Sequence, residues 1–225
     1  MHKINLRKFK DVSSLNTAVA ALLKHHFERE YHGSHAVMLS GGKTPVDAYR
    51  LVAGQTCVVS SKLRLFLSDE RLVPVTSSES NYGNMRFMFE ALRLDDGQVL
   101  RANGELDPQS SALKYNADMQ NLINNGGNIS LGLLGLGADG HTASLFCRDD
   151  LDRGRGRYAV SVVAPDGLNR VSVTPSLISK IQQVVFVVSG EDKKPIVEKL
   201  TADPSSVIAG LAVAEVRMKE LWFAV

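Results

Sequence analysis

Residues 129–146, ISLGLLGLGADGHTASLF, constrain the chain more than any other stretch. From 129 to 136 everything is apolar except Ser130 and two glycines. Such a run suits a strand buried on both faces of a sheet. The chemistry then changes abruptly. Gly137, Asp139, Gly140, His141, Thr142 and Ser144 bring polar side chains and pliable backbone to the carboxyl end of that strand. In open α/β sheets this is the end at which ligands bind. A rigid strand would hold Asp139 and His141 in place, and the glycines would let a ligand approach the main chain.

The bulk numbers set the class. A chain of 225 residues, 44% of them hydrophobic, supports one large domain spanning 1–225 with a proper core. The net charge of +2 balances 26 basic against 24 acidic residues. The densest basic cluster, Arg153, Arg155 and Arg157, is broken by glycines and reads as a solvated loop, so no nucleic-acid partner is expected. Cys57 and Cys147 have no metal or redox spacing, which fits two free thiols in a reducing cytoplasm. The start MHKINLRKFK has no apolar secretion core, and no stretch approaches the roughly 18 apolar residues of a membrane span. A soluble cytoplasmic protein is the expectation.

Along the chain, apolar runs alternate with helical periodicity. Residues 3–8 read as an edge strand. Ser13 or Ser14 caps a helix to about Tyr31, whose His25 and His26 would face solvent near its negative end. The run 36–39 precedes Ser40-Gly41-Gly42-Lys43-Thr44-Pro45. Thr44 is expected as N-cap, with Pro45 at the first helical position and Asp47 closing a capping box. Free N–H groups and a helix dipole beside two glycines favour an anion such as phosphate, although the spacing is not that of a Walker loop. Residues 63–67 form the next strand and end in Ser68-Asp69-Glu70-Arg71, read as a polar loop at a carboxyl end. Ser80 opens a helix with Met85, Met88, Phe89 and Leu92 as core. An irregular connection with a short strand at 98–100 leads to a helix over 109–124. After the central strand and its loop, 149–157 reads as a flexible charged segment. Strands follow at 158–164, 170–174 and 184–188, with Thr174-Pro175 starting a short helix, Pro204 breaking another, and 221–225 as a last strand. This alternation argues for a mostly parallel sheet covered on both faces.

The polar clusters after the strands can therefore gather on one rim, and together they resemble the 6-phosphogluconolactonase family. The matching pieces are Leu39-Ser40-Gly41-Gly42-Lys43-Thr44-Pro45, Asp69-Glu70-Arg71 with Val73-Pro74 and Ser80-Asn81-Tyr82, and the segment from Gly135 to Phe146, of which D-G-H-T-A-S-L-F is the most specific. Asn169-Arg170-Val171-Ser172-Val173-Thr174 and Gly190-Glu191-Asp192-Lys193 match more weakly. Cys147 stands where the family often has proline, and the carboxyl tail departs from the pattern. The resemblance implies the three-layer α/β/α, modified Rossmann-like fold shared with glucosamine-6-phosphate deaminase and ribose-5-phosphate isomerase. It implies hydrolysis of 6-phospho-D-glucono-1,5-lactone in the oxidative pentose phosphate pathway, without metal or organic cofactor.

The residues support such chemistry. Ser40, Gly41, Gly42, Lys43 and Thr44, with Arg170 and Lys193 as charged partners, are the expected substrate-phosphate anchors, and Asp69 a further substrate contact. His141 is the candidate base on water, because an unperturbed imidazole titrates near pH ~6.5. Asp139 is the candidate to hold its ring, and Arg71 to face the oxyanion or sugar hydroxyls, with backbone N–H groups as equal candidates for the oxyanion. Ser144 lacks a nucleophile elbow and reads as a helix-start or packing residue. His35 reads as structural. Two rivals remain. A glucosamine-6-phosphate deaminase resembles this pattern around D-G-H but continues to a glutamate supporting the histidine; Phe146 stands there in this chain, with no acid until Asp149. A non-catalytic sugar-phosphate sensor would need the anchors but not the base. The oligomeric state is open.

Overall fold

The computed structural model describes residues 3–225. The chain runs β1 (Asn5–Lys8), α1 (Val12–Glu28), β2 (His35–Leu39), α2 (Lys43–Ala53), β3 (Leu63–Leu67), β4 (Asp69–Arg71), α3 (Asn81–Ala91), β5 (Val99–Leu100) and α4 (Pro108–Asn124). It continues through β6 (Asn128–Leu134), α5 (Arg148–Arg153), β7 (Ala159–Val163), β8 (Asn169–Val173), α6 (Pro175–Ile178), β9 (Ile181–Ser189), α7 (Lys194–Ala202), α8 (Ile208–Ala212) and β10 (Met218–Ala224). Seven strands form one sheet in the order β1-β10-β9-β6-β2-β3-β5. Every pairing within it is parallel.

The apolar runs are continuous because both faces of this sheet are covered. Along β2, Val37 and Leu39 point to a cluster shared with Leu15, Val19, Leu23 and Phe27 of α1. Ala36 and Met38 point the other way, toward Tyr115 and Met119 of α4. Strand β9 divides likewise, with Val185 and Val187 on the first side and Val184, Phe186 and Val188 on the second. A period of two on a doubly covered sheet thus produces three layers. Met85, Met88 and Phe89 are core, as their spacing predicts.

Strand order reverses between β2 and β6: the chain builds outward through β3 and β5 on one side, and through β9 and β10 on the other. The loops leaving β2 and β6 therefore diverge and open a crevice at the switch point.

Several local expectations are corrected. Asp11, not Ser13 or Ser14, caps α1, accepting from Ser14 N–H at 2.7 Å, and the helix ends at Glu28 rather than near Tyr31. Gly42, not Thr44, is the N-cap of α2; no side chain caps this helix, and Pro45 falls at its third position. Residues Asp69–Arg71 are not a loop but a strand of a second, antiparallel sheet, β4-β8-β7. Arg170 accordingly lies on an antiparallel strand, opposite Arg71. The charged segment 149–157 is not a flexible loop at its start. It contains α5, whose buried Asp150 accepts from the N–H groups of Phe146 (2.8 Å) and Cys147 (3.1 Å) and pairs with Arg153. Among the described residues no helix is long and apolar enough to cross a membrane.

His26 is also placed differently. It is buried rather than solvated, with Nδ1 against Ser130 Oγ at 2.9 Å, and that hydroxyl donates to the Ala36 carbonyl. Burial, followed by the positive groups of His25, Arg29 and His35, brings its pKa down to about 4. The neutral ring suits the fold, whereas the unfolded chain takes up a proton near pH ~6.5. Stability from this group is therefore present above pH ~6.5 and is lost as pH falls toward 4, by on the order of 3 kcal/mol. Buried His35 shifts in the same direction. Urea midpoints at pH 7 and pH 4.5 test this: His26→Gln should lose less stability between the two than the unaltered chain. Equal losses would show that His26 is not a source of acid lability.

Candidate active site

A cleft of about 350 Å³ opens at the switch point. It is lined by Ser40, Gly41, Gly42 and Thr44 after β2, Asp69 and Arg71 on β4, Asn81 on α3, Gly135, Gly137 and His141 after β6, Arg170 on β8, and Ser189 with Lys193 at and after the end of β9. The scattered polar clusters of the sequence do converge.

The loop after β2 is built to receive an anion. With Gly42 as an uncapped N-cap, the first N–H groups of the 11-residue α2 have no side-chain acceptor. They and the helix dipole act on the same side of the cleft. Tyr49, fully buried on α2, fixes the approach: its hydroxyl donates to the Ser40 carbonyl at 2.8 Å and accepts from the Ser40 N–H at 3.2 Å. Burial pushes this phenol well above its ordinary pKa, so it stays protonated and keeps both roles. Thr44 Oγ1 meets Ser189 Oγ at 3.1 Å and so ties α2 to the end of β9 instead of capping its own helix. Gly41 is obligatory, because a Cβ there would fall 2.0–2.4 Å from the Asn81 carboxamide. Lys43 begins the helix, but its side chain lies outside the described residues.

Three cations line the same cleft, Lys193, Arg170 and Arg71. Lys193 Nζ donates to the Leu136 carbonyl at 3.1 Å, which holds the ammonium between the loops after β9 and β6. Arg170 pairs with Asp166, and Arg71 Nη1 donates to the Glu79 carbonyl at 2.7 Å. The Nε of each arginine is buried without a protein partner among the described residues. Asp69 works chiefly as a brace. Its carboxylate accepts from Ser68 Oγ (2.9 Å) and Ser144 Oγ (2.7 Å), and its carbonyl accepts from Asn81 Nδ2 (2.9 Å). Ser144 is thus a buried packing residue and starts no helix.

The loop after β6 is a tight turn that presents one imidazole. Gly137 N–H donates to the His141 carbonyl and Gly140 N–H to the Gly137 carbonyl, both at 2.9 Å. Gly140 sits at φ +89°, a conformation suited to glycine. The fold back brings Asp139 Oδ1 to 2.6 Å from His141 Nδ1 and 3.2 Å from its main-chain N–H. Partial burial would raise the Asp139 carboxyl, but these bonds from His141 outweigh it and hold it below the usual carboxylate range. An ionised Asp139 makes Nδ1 the protonated nitrogen and leaves the Nε2 lone pair free. His141 lines the cleft and Asp139 stands behind it.

Every proposed contact residue with a described side chain, apart from Asp139, therefore lines one cavity. Sequence reasoning missed Tyr49 as a site residue, placed Gly137 and Ser189 only within polar clusters at strand ends, and quoted Asn81 only within a motif. Tyr49 carried a usable signal, a lone aromatic one turn and a half into the helix after two glycines.

With the geometry in view, comparison with known proteins is decisive. The model of the family described as glucosamine-6-phosphate isomerases/6-phosphogluconolactonase matches residues 10–221. The chain belongs to this family. Among similar members, the 6-phosphogluconolactonase of Treponema pallidum is 32% identical over 201 residues, covering 85% of this chain and 83% of that protein. The 6-phosphogluconolactonase of Chlamydia pneumoniae is 36% identical over 171 residues, which cover 75% of this chain and 65% of that protein. The solved 6-phosphogluconolactonase of Thermotoga maritima superposes with a TM-score of 0.79 at 26% identity, covering 98% of this chain and 99% of the other. A monomeric glucosamine-6-phosphate deaminase shares the fold at TM-score 0.79 and 15% identity, covering 98% and 97%. The expected three-layer architecture is thus the family's own.

Proposed function

We propose that this chain hydrolyses 6-phospho-D-glucono-1,5-lactone to 6-phospho-D-gluconate, a step of the oxidative pentose phosphate pathway, with residues 1–225 acting as a single domain. The observation that carries the reading is the Asp139–His141 pair at 2.6 Å in the same cleft as the uncapped start of α2. The substrate's phosphate docks on the N–H groups of α2, on Arg170 and on Lys193, and this remote binding orients the ring. His141 Nε2 takes a proton from water as the oxygen attacks the ester carbon. The tetrahedral oxyanion faces Arg71 or the N–H groups of the glycine-rich loop. Collapse breaks the bond to the ring oxygen, which receives the proton from the imidazolium. A water and a cyclic ester become an acid and an alcohol, and the base is restored. A phosphorylated substrate does not cross a bilayer unaided, which goes with cytoplasmic work.

The contacts of His141 favour hydrolysis over isomerisation. Asp139 is the carboxylate hydrogen-bonded to its ring; beside the imidazole lies Phe146, ring centroids 4.7 Å apart. Asp150, the nearest buried acid downstream, is committed to the Phe146 and Cys147 N–H groups and to Arg153. A sensor would have no use for an oriented base. The test is proton release from freshly made 6-phosphogluconolactone above its spontaneous opening, beside an ammonia assay with glucosamine 6-phosphate. Accelerated opening without ammonia supports the reading; ammonia release, or tight binding without acceleration, overturns it.

The anchors give a separate expectation. Arg170→Met and Lys193→Met each raise KM by roughly ten- to a hundredfold, the value of a charge-assisted hydrogen bond, and change kcat far less. Steady-state kinetics check this. A fall in kcat at constant KM would move these cations from the phosphate to the reacting ester.

A further inference from the structure

Phe146 lies beside the cleft rather than in its lining, yet its ring touches a group from each half of the site. Its centroid is 4.7 Å from that of the His141 imidazole, with the planes tilted by 48°. The guanidinium carbon of Arg170 lies 5.6 Å from the same centroid. The main chain that carries the ring is held in place. The Phe146 N–H donates to Asp150 Oδ2 at 2.8 Å, and the same carboxylate holds the start of α5 and pairs with Arg153.

The two groups it touches are less well held. Asp139 fixes His141 through Nδ1 and the main-chain N–H, which sets the tautomer but leaves the ring's far side to packing. Arg170 is pinned by Asp166, half exposed on a turn, and its Nε has no protein partner. A guanidinium over a ring is attracted by the ring's negative face, and an imidazole packs readily against its surface. The Phe146 ring is thus the physical link between the candidate base and a candidate phosphate anchor, which come from different sheets.

We propose that Phe146 is a positioning residue serving both: its ring holds His141 and Arg170 at a fixed separation, so that a substrate docked by its phosphate presents its ester carbon to Nε2. The proposal rests on the lactonase reading for its kinetic consequence, but not for its two contacts. Loss of the ring frees the imidazole to tilt and leaves the guanidinium to its pairing with Asp166 on the turn. Misplacement of a reacting group by about 1 Å costs up to about a hundredfold in rate, and loss of one partly exposed cation–π contact a few-fold in affinity.

The experiment compares Phe146→Leu and Phe146→Tyr with the unaltered chain. It reads kcat on the lactone, the Kd of 6-phosphogluconate by calorimetry, and the His141 ring resonances by NMR. Phe146→Leu should lower kcat about tenfold, weaken 6-phosphogluconate about threefold and shift the His141 ring resonances, which sit beside the aromatic ring. Phe146→Tyr should restore all three to within about twofold, since it keeps the ring. A purely structural role would lower the melting temperature of both variants without this pattern of rescue. If Phe146→Leu moves neither kcat nor Kd, or moves only one of them, the shared role is wrong. If Phe146→Tyr fails as badly as Phe146→Leu while both remain folded, the ring is not what matters. Absence of lactone hydrolysis in the unaltered chain would reject the proposed function instead, and the affinity and NMR readings would still decide the role of the ring.

Discussion

His141→Ala lowers kcat on 6-phosphogluconolactone by at least about a hundredfold while the Kd of 6-phosphogluconate stays within about threefold. The size follows from the usual worth of a positioned general base, roughly 10²–10⁴ in rate. The selectivity follows from the cleft, where the imidazole comes from the loop after β6 and the phosphate anchors from the loops after β2 and β9 and from β8. Asp139→Asn should cost nearly as much, for a different reason. Its carboxylate accepts from Nδ1 at 2.6 Å and so leaves Nε2 as a lone pair. A carboxamide in its place can donate to Nδ1 instead, which puts the proton on Nε2 and removes the base without moving the ring. Rates must be corrected for spontaneous opening of the lactone. A His141→Ala enzyme as fast as the unaltered one would remove the imidazole from the chemistry, and an unimpaired Asp139→Asn would mean that the tautomer is set some other way.

The parts of the structure that repeat a period were readable from the residues. Strands such as Leu63–Leu67 fall where their apolar runs are, because a doubly covered sheet demands apolar side chains in both directions. The helix opened by Ser80 and the one opened by Thr174-Pro175 begin as expected, because their caps are local: Ser80 accepts from Gly83 N–H and Thr174 from Leu177 N–H. Where tertiary contacts compete with local ones, the reading fails. Thr44 looks like an N-cap, but its hydroxyl finds Ser189, distant in sequence, and the helix starts two residues earlier, capped by Gly42. Asp69–Arg71 look like a loop because three polar residues follow a strand; a second strip of sheet recruits them, pairing Arg71 with Arg170. His26 looks like a solvated residue near a helix end until Ser130 on β6 supplies a buried partner. The convergence of the site was legible for a related reason. Parallel strands force their carboxyl-end loops to one rim, so motifs far apart in sequence need no further information to meet.

Two glycine substitutions should divide the site into its working halves. A Cβ on Gly137 would lie 2.2 Å from His141 Nδ1 and 2.4 Å from Asp139 Oδ1, so Gly137→Ala drives a wedge into the acid–base pair. The atoms struck are side-chain ends on a partly exposed loop, so they can move aside at small cost to folding. The melting temperature should fall by less than about 4 °C, the shift for about 1 kcal/mol in a chain of this size. Catalysis has no such latitude. Once Nε2 is displaced from the line of attack, kcat should fall about a hundredfold with KM nearly unchanged. Gly41→Ala offers the opposite signature. Its Cβ would meet Asn81 Cγ at 2.0 Å, and Asn81 is buried and bonded to the Asp69 carbonyl, so the loop before α2 must shift instead. That loop is the anchor for the phosphate, and the loss should appear as a raised KM. Steady-state kinetics on the two proteins, each checked by thermal melt, separate the effects. If both substitutions depress the same kinetic constant, then binding and proton transfer do not reside in different loops, and the mechanism drawn from the cleft has its parts in the wrong places.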